Sequence, residues 1–331
     1  MKKPTIMDIA NRAGVSKATV SMVVNKKDGS ISKATREKIL SIIEEIGYIP
    51  NSIARSLSTN KSGTIGITIP DIMNPFFSQI ARAIEDAASE LQYNVILCNT
   101  DNSEDKENMY IKLLISKQVD GVILISGGKS TNSISHLKSN SIPFVLVDRY
   151  IDGYKDESGV YCENKEGVME GVEYLYSKGK RKIVFVSGPT KHHVFKKRLE
   201  GYKIFMKSKE IYDENLIFQG DITLQGGMEA TKKILKSLSN VDAIFYSNDL
   251  MALGGIKVLT RMGYSIPNDI SIMGFDNIQI TEFVEPELTT IAQPIYEMGQ
   301  SACELLVRNI NGEDGEKIIF FTPKLIVRGT A

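Results

Sequence analysis

The side chains best suited to chemistry in this chain stand where short apolar runs end. Asn74-Pro-Phe-Phe77, Asp148-Arg149, Asn248-Asp249, Gly274-Phe-Asp276 and Gln293 each follow such a run, and Arg198 comes after the Ser187-Gly-Pro189 turn. As a set they are carboxylates, carboxamides, guanidinia and two adjacent aromatic rings. The polar groups offer charge-assisted or bidentate hydrogen bonds to hydroxyls. The aromatic faces cover the C–H side of a sugar ring. This is a chemistry of holding a neutral polyol rather than of reacting with one. Each residue also has a plainer use. Asn248 and Asp249 can cap a helix, Asp148-Arg149 can be a weak surface pair, and Phe76 and Phe77 can be core. Six strand ends that all carry polyol-compatible groups point to a shared site.

No constellation for catalysis or metal binding competes with this reading. There is no G-x-S-x-G, and no G-x-G-x-x-G after a strand. Gly127-Gly-Lys-Ser130 has the end of a phosphate loop, but Ile123 stands where its first glycine belongs. His192 and His193 are adjacent and diverge on most backbones, and no cysteine pair is near. Cys98, Cys162 and Cys303 are far apart and odd in number, as buried reduced thiols are. The expectation is no enzyme, no metal and no cofactor.

Elements that place these residues can be read from periodicity. Strands are expected at Thr64–Ile69, Val95–Cys98, Val122–Ile125, Phe144–Val147, Ile183–Val186, Ala243–Tyr246, Ile270–Met273 and Leu288–Ile291. A helix over Phe76–Leu91 turns Ile80, Ala83, Ile84, Ala87 and Leu91 inward. The next carries Met109, Leu113 and Leu114, and another covers Glu163–Tyr176. Alternating strand and helix predicts parallel sheets with helices on both faces. Two such series predict two doubly wound subdomains, whose ligands sit beyond the carboxyl ends of the strands.

The first sixty residues have a different character. Residues 1–61 hold 11 Lys+Arg against 5 Asp+Glu, although the whole chain of 331 residues balances 40 against 40. A basic head on an acidic body fits a polyanionic partner. Thr5 and Asp8 form a near capping box, and Ile6, Ile9, Ala10 and Ala13 give a helical face. Gly14 breaks that helix and Ser16 can cap a second, with Val20, Val23 and Val24 inward. A third begins near Ser32, buries Ile39, Ile42, Ile43 and Ile46, and ends at Gly47. This is a helix-turn-helix layout. Its second helix exposes Lys17, Ala18, Ser21 and Met22 beside Thr19, short enough to let the helix sit deep in a major groove. Composition, at 42% hydrophobic and 24% charged, suits a globular protein. No apolar run approaches the roughly 20 residues of a membrane span. The start lacks an apolar signal core, so a cytoplasmic location is expected.

The run T-I-M-D-I-A-N-R-A-G-V-S-K-A-T-V-S-M-V-V-N (Thr5–Asn25) resembles the head of the lactose-repressor (LacI) family. So do T-R-E-K-I-L (Thr35–Leu40) and G-Y-I-P-N-S-I-A-R-S-L (Gly47–Leu57). The resemblance implies base contacts from Lys17, Ala18 and Met22, and phosphate contacts from Thr5, Ser16, Thr19, Ser21 and Asn25. Met22 stands where many members carry arginine, so an apolar contact replaces a guanine reading there. The segment 51–57 is too short to be helical alone. By resemblance it pairs across a dimer in the minor groove, with Asn51 at its start, Ala54 at the pairing contact, Arg55 near the backbone and Leu57 as a wedge.

The motifs N-P-F-F, V-D-R, R-L-E-G-Y, S-N-D, G-F-D and T-I-A-Q resemble the sugar sites of ribose repressors and ribose-binding proteins. This implies that Phe76 and Phe77 sandwich a ring. It also implies that Asn74, Asp148, Arg149, Arg198, Asn248, Asp276 and Gln293 bond its hydroxyls, with Ile222 where an aromatic often closes the pocket. The organisation expected is a DNA-binding domain at 1–50, a hinge helix and linker at 51–62, and an effector-binding and dimerisation core at 63–331. Within the core, the first subdomain takes about 63–161 and 293–323, and the second about 162–292 and 324–331. The function expected is that of a homodimeric repressor on double-stranded operator DNA, controlled by a small sugar, with no membrane partner. The alternatives are a catabolite-control-type regulator driven by a protein cofactor and a sugar-binding transport protein.

Overall fold

Thr5 opens the first helix through a reciprocal cap. Its side chain accepts from the Asp8 backbone N–H, and the Asp8 carboxylate accepts from the Thr5 N–H at 2.8 Å. The computed structural model describes residues 4–25, 28–49, 61–125, 131–151, 153–154 and 156–331. It divides into two units, Met1–Ser62 and Gly63–Ala331.

The first unit holds α1 (Ile6–Ala13), α2 (Lys17–Val24) and α3 (Lys33–Ile46). Gly14 ends α1 at φ 70°, a left-handed conformation that costs glycine nothing. Ser16 caps α2 by accepting from the Thr19 N–H at 3.1 Å. Ser32 caps α3 in the same way, and Gly47 ends it at φ 62°. Ile9, Ala10, Ala13, Val20, Val23, Ile39 and Ile42 form the core, with Ile6, Val24, Ile43 and Ile46 packed around it. The small residues of α1 let the three helices meet closely.

The second unit runs β1 (Thr64–Ile69), α4 (Pro75–Glu90), β2 (Asn94–Asn99), α5 (Glu104–Ser116), β3 (Gly121–Leu124), α6 (Thr131–Ser139), β4 (Phe144–Val147) and β5 (Gly159–Cys162). It continues with α7 (Asn164–Ser177), β6 (Ile183–Ser187), α8 (His193–Ser208), β7 (Ile217–Gln219), α9 (Leu224–Ser237), β8 (Ala243–Tyr246), α10 (Asp249–Arg261) and β9 (Ser271–Asp276). It closes with β10 (Thr289–Ala292), α11 (Ile295–Asn311), β11 (Ile318–Phe321) and β12 (Lys324–Ile326).

Two sheets result, in the orders β11-β5-β4-β3-β1-β2 and β12-β10-β9-β8-β6-β7. Every pairing is parallel except β10 with β12. Strands such as β3, β4 and β8 are buried along their whole length, because helices cover both faces. The chain crosses between the sheets three times, after β5, after β10 and between β11 and β12. Each sheet carries a separate apolar core on each of its faces.

Three expectations are corrected. Leu91 does not turn inward: it is 39% exposed, because the helix ends at Glu90 and Leu91 stands at its C-cap. Of the three residues expected to mark α5, Leu114 is buried, but Met109 and Leu113 face solvent at 54% and 42% exposure and Ile111 is buried in their place. Apolar type alone misjudged the phase of that helix. Gly274, Phe275 and Asp276 do not follow a strand but end one, since β9 runs on to Asp276 through pairing with β10. No described helix is long and apolar enough to cross a membrane.

Candidate functional site

Residues at the carboxyl ends of both sheets line one small cavity of about 20 Å³. From the first sheet's side come Asn74, Phe76, Phe77, Asp148 and Arg149. From the second come Arg198, Ile222, Asn248 and Asp276, joined by Val194 and Phe195. Gln293 stands behind Asp276, donating to its Oδ1 at 2.8 Å. Nine of the ten residues expected at a pocket line this cavity, and Gln293 meets it only through Asp276. Val194 and Phe195 are additions, since nothing in their type separates them from core positions of α8.

Arg198 is the hub. It is 3% exposed, and its guanidinium donates to Asn164 Oδ1 at 2.6 Å, to the Ser247 carbonyl and to Asp276 Oδ1 at 3.2 Å. It lies 3.7 Å from the centre of the Phe275 ring. These partners come from α7, β8's end and β9, so one side chain pins three elements. On the facing side, Arg149 sits over the Phe77 ring at 5.5 Å and 3.6 Å from the Asp148 carboxylate. Phe76 and Phe77 meet edge to face at 5.2 Å.

Several of these side chains also do structural work. Asn74 caps α4 by accepting from the Phe76 N–H at 3.1 Å. Asn248 caps α10 by accepting from the Met251 N–H at 3.0 Å, and donates to the Ile222 carbonyl at 3.3 Å. Asp249 lies outside the pocket. Its buried carboxyl accepts from Thr290 Oγ1 at 2.6 Å and from the Ile278 N–H at 2.9 Å, tying α10 to the β9–β10 edge.

The electrostatics are those of charge held out of water. Burial raises the Asp148 carboxyl against the pull of Arg149 and Arg198. Burial also pushes Asp276 up to about 6, opposed by Arg198 and by the Gln293 amide. His192, just ahead of α8, is pushed down to about 4 by burial, with Arg149 adding repulsion. It is neutral at pH 7. Asp148 and Asp276 both have positive φ, 67° and 119°. Such backbone is uncommon outside glycine and concentrates at functional sites. Two buried acceptors, Asp148 Oδ1 and Gln293 Oε1, have no hydrogen-bond partner among the described residues.

A second surface lies on the first unit. Lys17, Ala18 and Met22 are exposed along α2, with Thr19 and Ser21 half-buried beside them. Thr5 and Ser16 are exposed at the starts of α1 and α2, where their hydroxyls also serve as caps. Asn25, at the end of α2, donates to the Ser21 carbonyl at 2.8 Å, which fixes the last turn. The face is thus narrow, short-chained and framed by helix ends, a shape that fits a major groove. Asn51, Ala54, Arg55 and Leu57 lie outside the described residues.

Residues 5–51 match the bacterial regulatory proteins of the lacI family. Residues 62–325 match the periplasmic binding proteins and sugar binding domain of LacI family. The chain is 39% identical to the ribose operon repressor of Halalkalibacterium halodurans, over 98% of this chain and 96% of that one. It is 37% identical to catabolite control protein A of Priestia megaterium, over 97% of each. Its fold is similar to the lac repressor dimer solved bound to operator and an anti-inducer, at a TM-score of 0.90 and 27% identity, covering 99% of both chains. The matches span the helix-turn-helix and the two-sheet core alike, and the chain belongs to the LacI family of bacterial DNA-binding transcription regulators.

Proposed function

We propose that this chain is a homodimeric repressor that binds a near-palindromic operator through α2 and is switched by a small sugar held in the cavity around Arg198. The observation that carries the sugar reading is the orphaned acceptor Asp148 Oδ1 in the wall of the cavity. A buried acceptor left unpaired costs about 1–3 kcal/mol, which a ligand hydroxyl recovers by donating to it. Aromatic rings at one end and guanidinia around the rest complete a site for a ring with several hydroxyls. This chemistry favours a small polyol over a protein cofactor. Similarity to a ribose operon repressor makes ribose the first sugar to test. The matched DNA-binding head argues against a transport role, and similarity to a repressor dimer on operator supports the dimer.

At about 20 Å³ the cavity has room for a water molecule or two and none for a sugar ring. Sugar binding therefore requires the two sheets' carboxyl ends to separate and close again around the ring. That motion is the means of control in this reading, since it changes how the core supports operator binding. A ligand shifts such an equilibrium only by binding one state better, commonly by 1–3 kcal/mol or roughly 5–150-fold. Fluorescence anisotropy of the promoter fragment, titrated with ribose, arabinose, xylose and glucose, tests it. At least one sugar is expected to change operator affinity within that range, and indifference to all of them refutes the reading.

Acid should weaken sugar binding. The Asp276 carboxyl is raised to about 6, and only its ionised form accepts from two hydroxyls at once. Linkage then gives a dissociation constant that is flat above pH 7 and rises by up to about tenfold per unit as pH falls below 6. Calorimetry from pH 7.5 to 5 checks this, and an unchanged constant would place Asp276 outside the binding contacts.

A further inference from the structure

The second sheet has a groove at its other end. The pocket lies beyond the carboxyl ends of the strands, whereas α9 and α10 stop at the amino ends, shortly before β8 and β9 begin. Between those two helix ends is a cavity of about 690 Å³. Its walls include Leu235, Leu238, Val241, Met262, Tyr264 and Ile270. Met262 is 58% exposed and Tyr264 36%. Methionine, unbranched and polarizable, suits an adaptable binding surface.

Cations stand around this groove. Lys182 donates from Nζ to the carbonyl of Ser239, a wall residue, at 2.6 Å. Arg181 beside it lies 3.8 Å from the centre of the Tyr176 ring and donates to the Tyr176 carbonyl at 2.7 Å. Lys236 and Arg261 are in the last turns of α9 and α10, each next in sequence to a wall residue. There they also offset the helix-end carbonyls. None of these four side chains forms an ion pair among the described residues. The two carboxylates beside the groove are engaged by backbone. Asp242 accepts from the N–H groups of Arg181 and Lys182 at 2.9 and 2.8 Å, and Asp269 accepts from the Ser265 N–H at 2.7 Å. The rim is therefore cationic, although residues 62–331 hold 29 Lys+Arg against 35 Asp+Glu.

We propose that this groove docks a short segment of a partner protein, one whose apolar side chains are flanked by Asp or Glu. The apolar side chains enter between α9 and α10, and the acids meet the rim. Three other occupants fit less well. A second copy docked here about a two-fold axis sets the cationic rim against itself. Duplex DNA has no apolar anchor to offer, and the acidic core repels so long a polyanion. A short segment feels chiefly the cations within a Debye length of about 8–10 Å. A small polar ligand finds no buried orphaned polar atom among the described wall residues. Docking at this end leaves the sugar pocket at the other end free, so both can be filled together.

Fluorescence anisotropy of the full chain with three labelled peptides tests the groove. The first is a short peptide of glutamates and leucines. The second has lysine in place of glutamate, and the third has serine in place of leucine. The first is expected to bind about tenfold or more tighter than either of the others. Met262→Ser, and the pair Lys236→Ser with Arg261→Ser, are each expected to remove most of that gain in a folded protein, since all three side chains are exposed. The pair Lys112→Ser with Lys117→Ser, also exposed but on the side of the first sheet, is expected to change nothing. Equal weakening by that pair reduces the effect to bulk charge and overturns the groove. Peptides that bind alike, or not at all, overturn it as well. If sedimentation shows association beyond a dimer that Met262→Ser abolishes, a second copy is the occupant and the proposal fails. It fails too if duplex DNA lacking an operator displaces the first peptide.

Discussion

Replacing Arg198 by alanine is expected to weaken sugar binding by roughly 100-fold or more, since hydrogen bonds from charged groups contribute about 1.5–3 kcal/mol each. The side chain is 3% exposed and bonds Asn164, the Ser247 carbonyl and Asp276. Its loss removes a donor to the ligand and also frees the groups that it holds in place. Asp276 loses the charge that most opposes its burial. Its carboxyl therefore rises further above 6 and spends more of neutral pH in the protonated form. Two readouts follow, a higher dissociation constant by calorimetry and a pH profile of residual affinity displaced to higher pH. Breaking a buried pair also costs stability, about 3–5 kcal/mol where the remaining charge cannot adapt. Protonation of Asp276 relieves part of this. Arg198→Lys keeps a positive charge without the planar fork, and is expected to fold well while recovering little affinity. Unchanged sugar affinity in a folded Arg198→Ala protein would remove Arg198 from the pocket.

The largest stability effects are expected from two glycines in the second unit. A Cβ built on Gly227 of α9 meets the Met251 carbonyl oxygen at 2.1 Å, and one on Gly254 of α10 meets the Leu224 carbonyl oxygen at 2.1 Å. Both obstacles are backbone of the facing helix, which cannot swing aside as a side chain can. Gly227→Ala or Gly254→Ala must push α9 and α10 apart. Overpacking of this kind costs about 1–3 kcal/mol and sometimes more. For a unit of this size that corresponds to a fall in Tm of about 2–12 °C. The two costs should not add, because one separation of the helices relieves both clashes. Scanning calorimetry checks this. The effect reaches the pocket as well, because Ile222 precedes α9 and Asn248 caps α10, with a hydrogen bond between them. Sugar affinity should therefore fall in the folded fraction too. A Tm equal to the parent's for either variant would show that the helices are not held at this separation in solution.

The local events of this chain were legible in its residues. Thr5 with Asp8, Ser16, Ser32, Gly14 and Gly47 announced where three helices start and stop, because caps and left-handed turns depend on a few neighbouring residues. Continuous apolar runs marked the buried strands, and the polar groups at their ends marked the pocket. Periodicity did less well on α5, where Met109 and Leu113 proved to be exposed.

Tertiary structure alone decided how those pieces act together. Arg198 meets Asn164, Ser247 and Asp276 across separations of 34, 49 and 78 residues. No local pattern encodes such meetings, since they depend on which strands pair and in what register. The same holds for Val194 and Phe195 in the pocket wall, for Gly227 and Gly254 at a helix crossing, and for the raised carboxyl of Asp276. Residue type set which groups could bind a polyol. Burial and the packing of distant segments set which of them face one another, how far each is removed from water, and so what charge each carries.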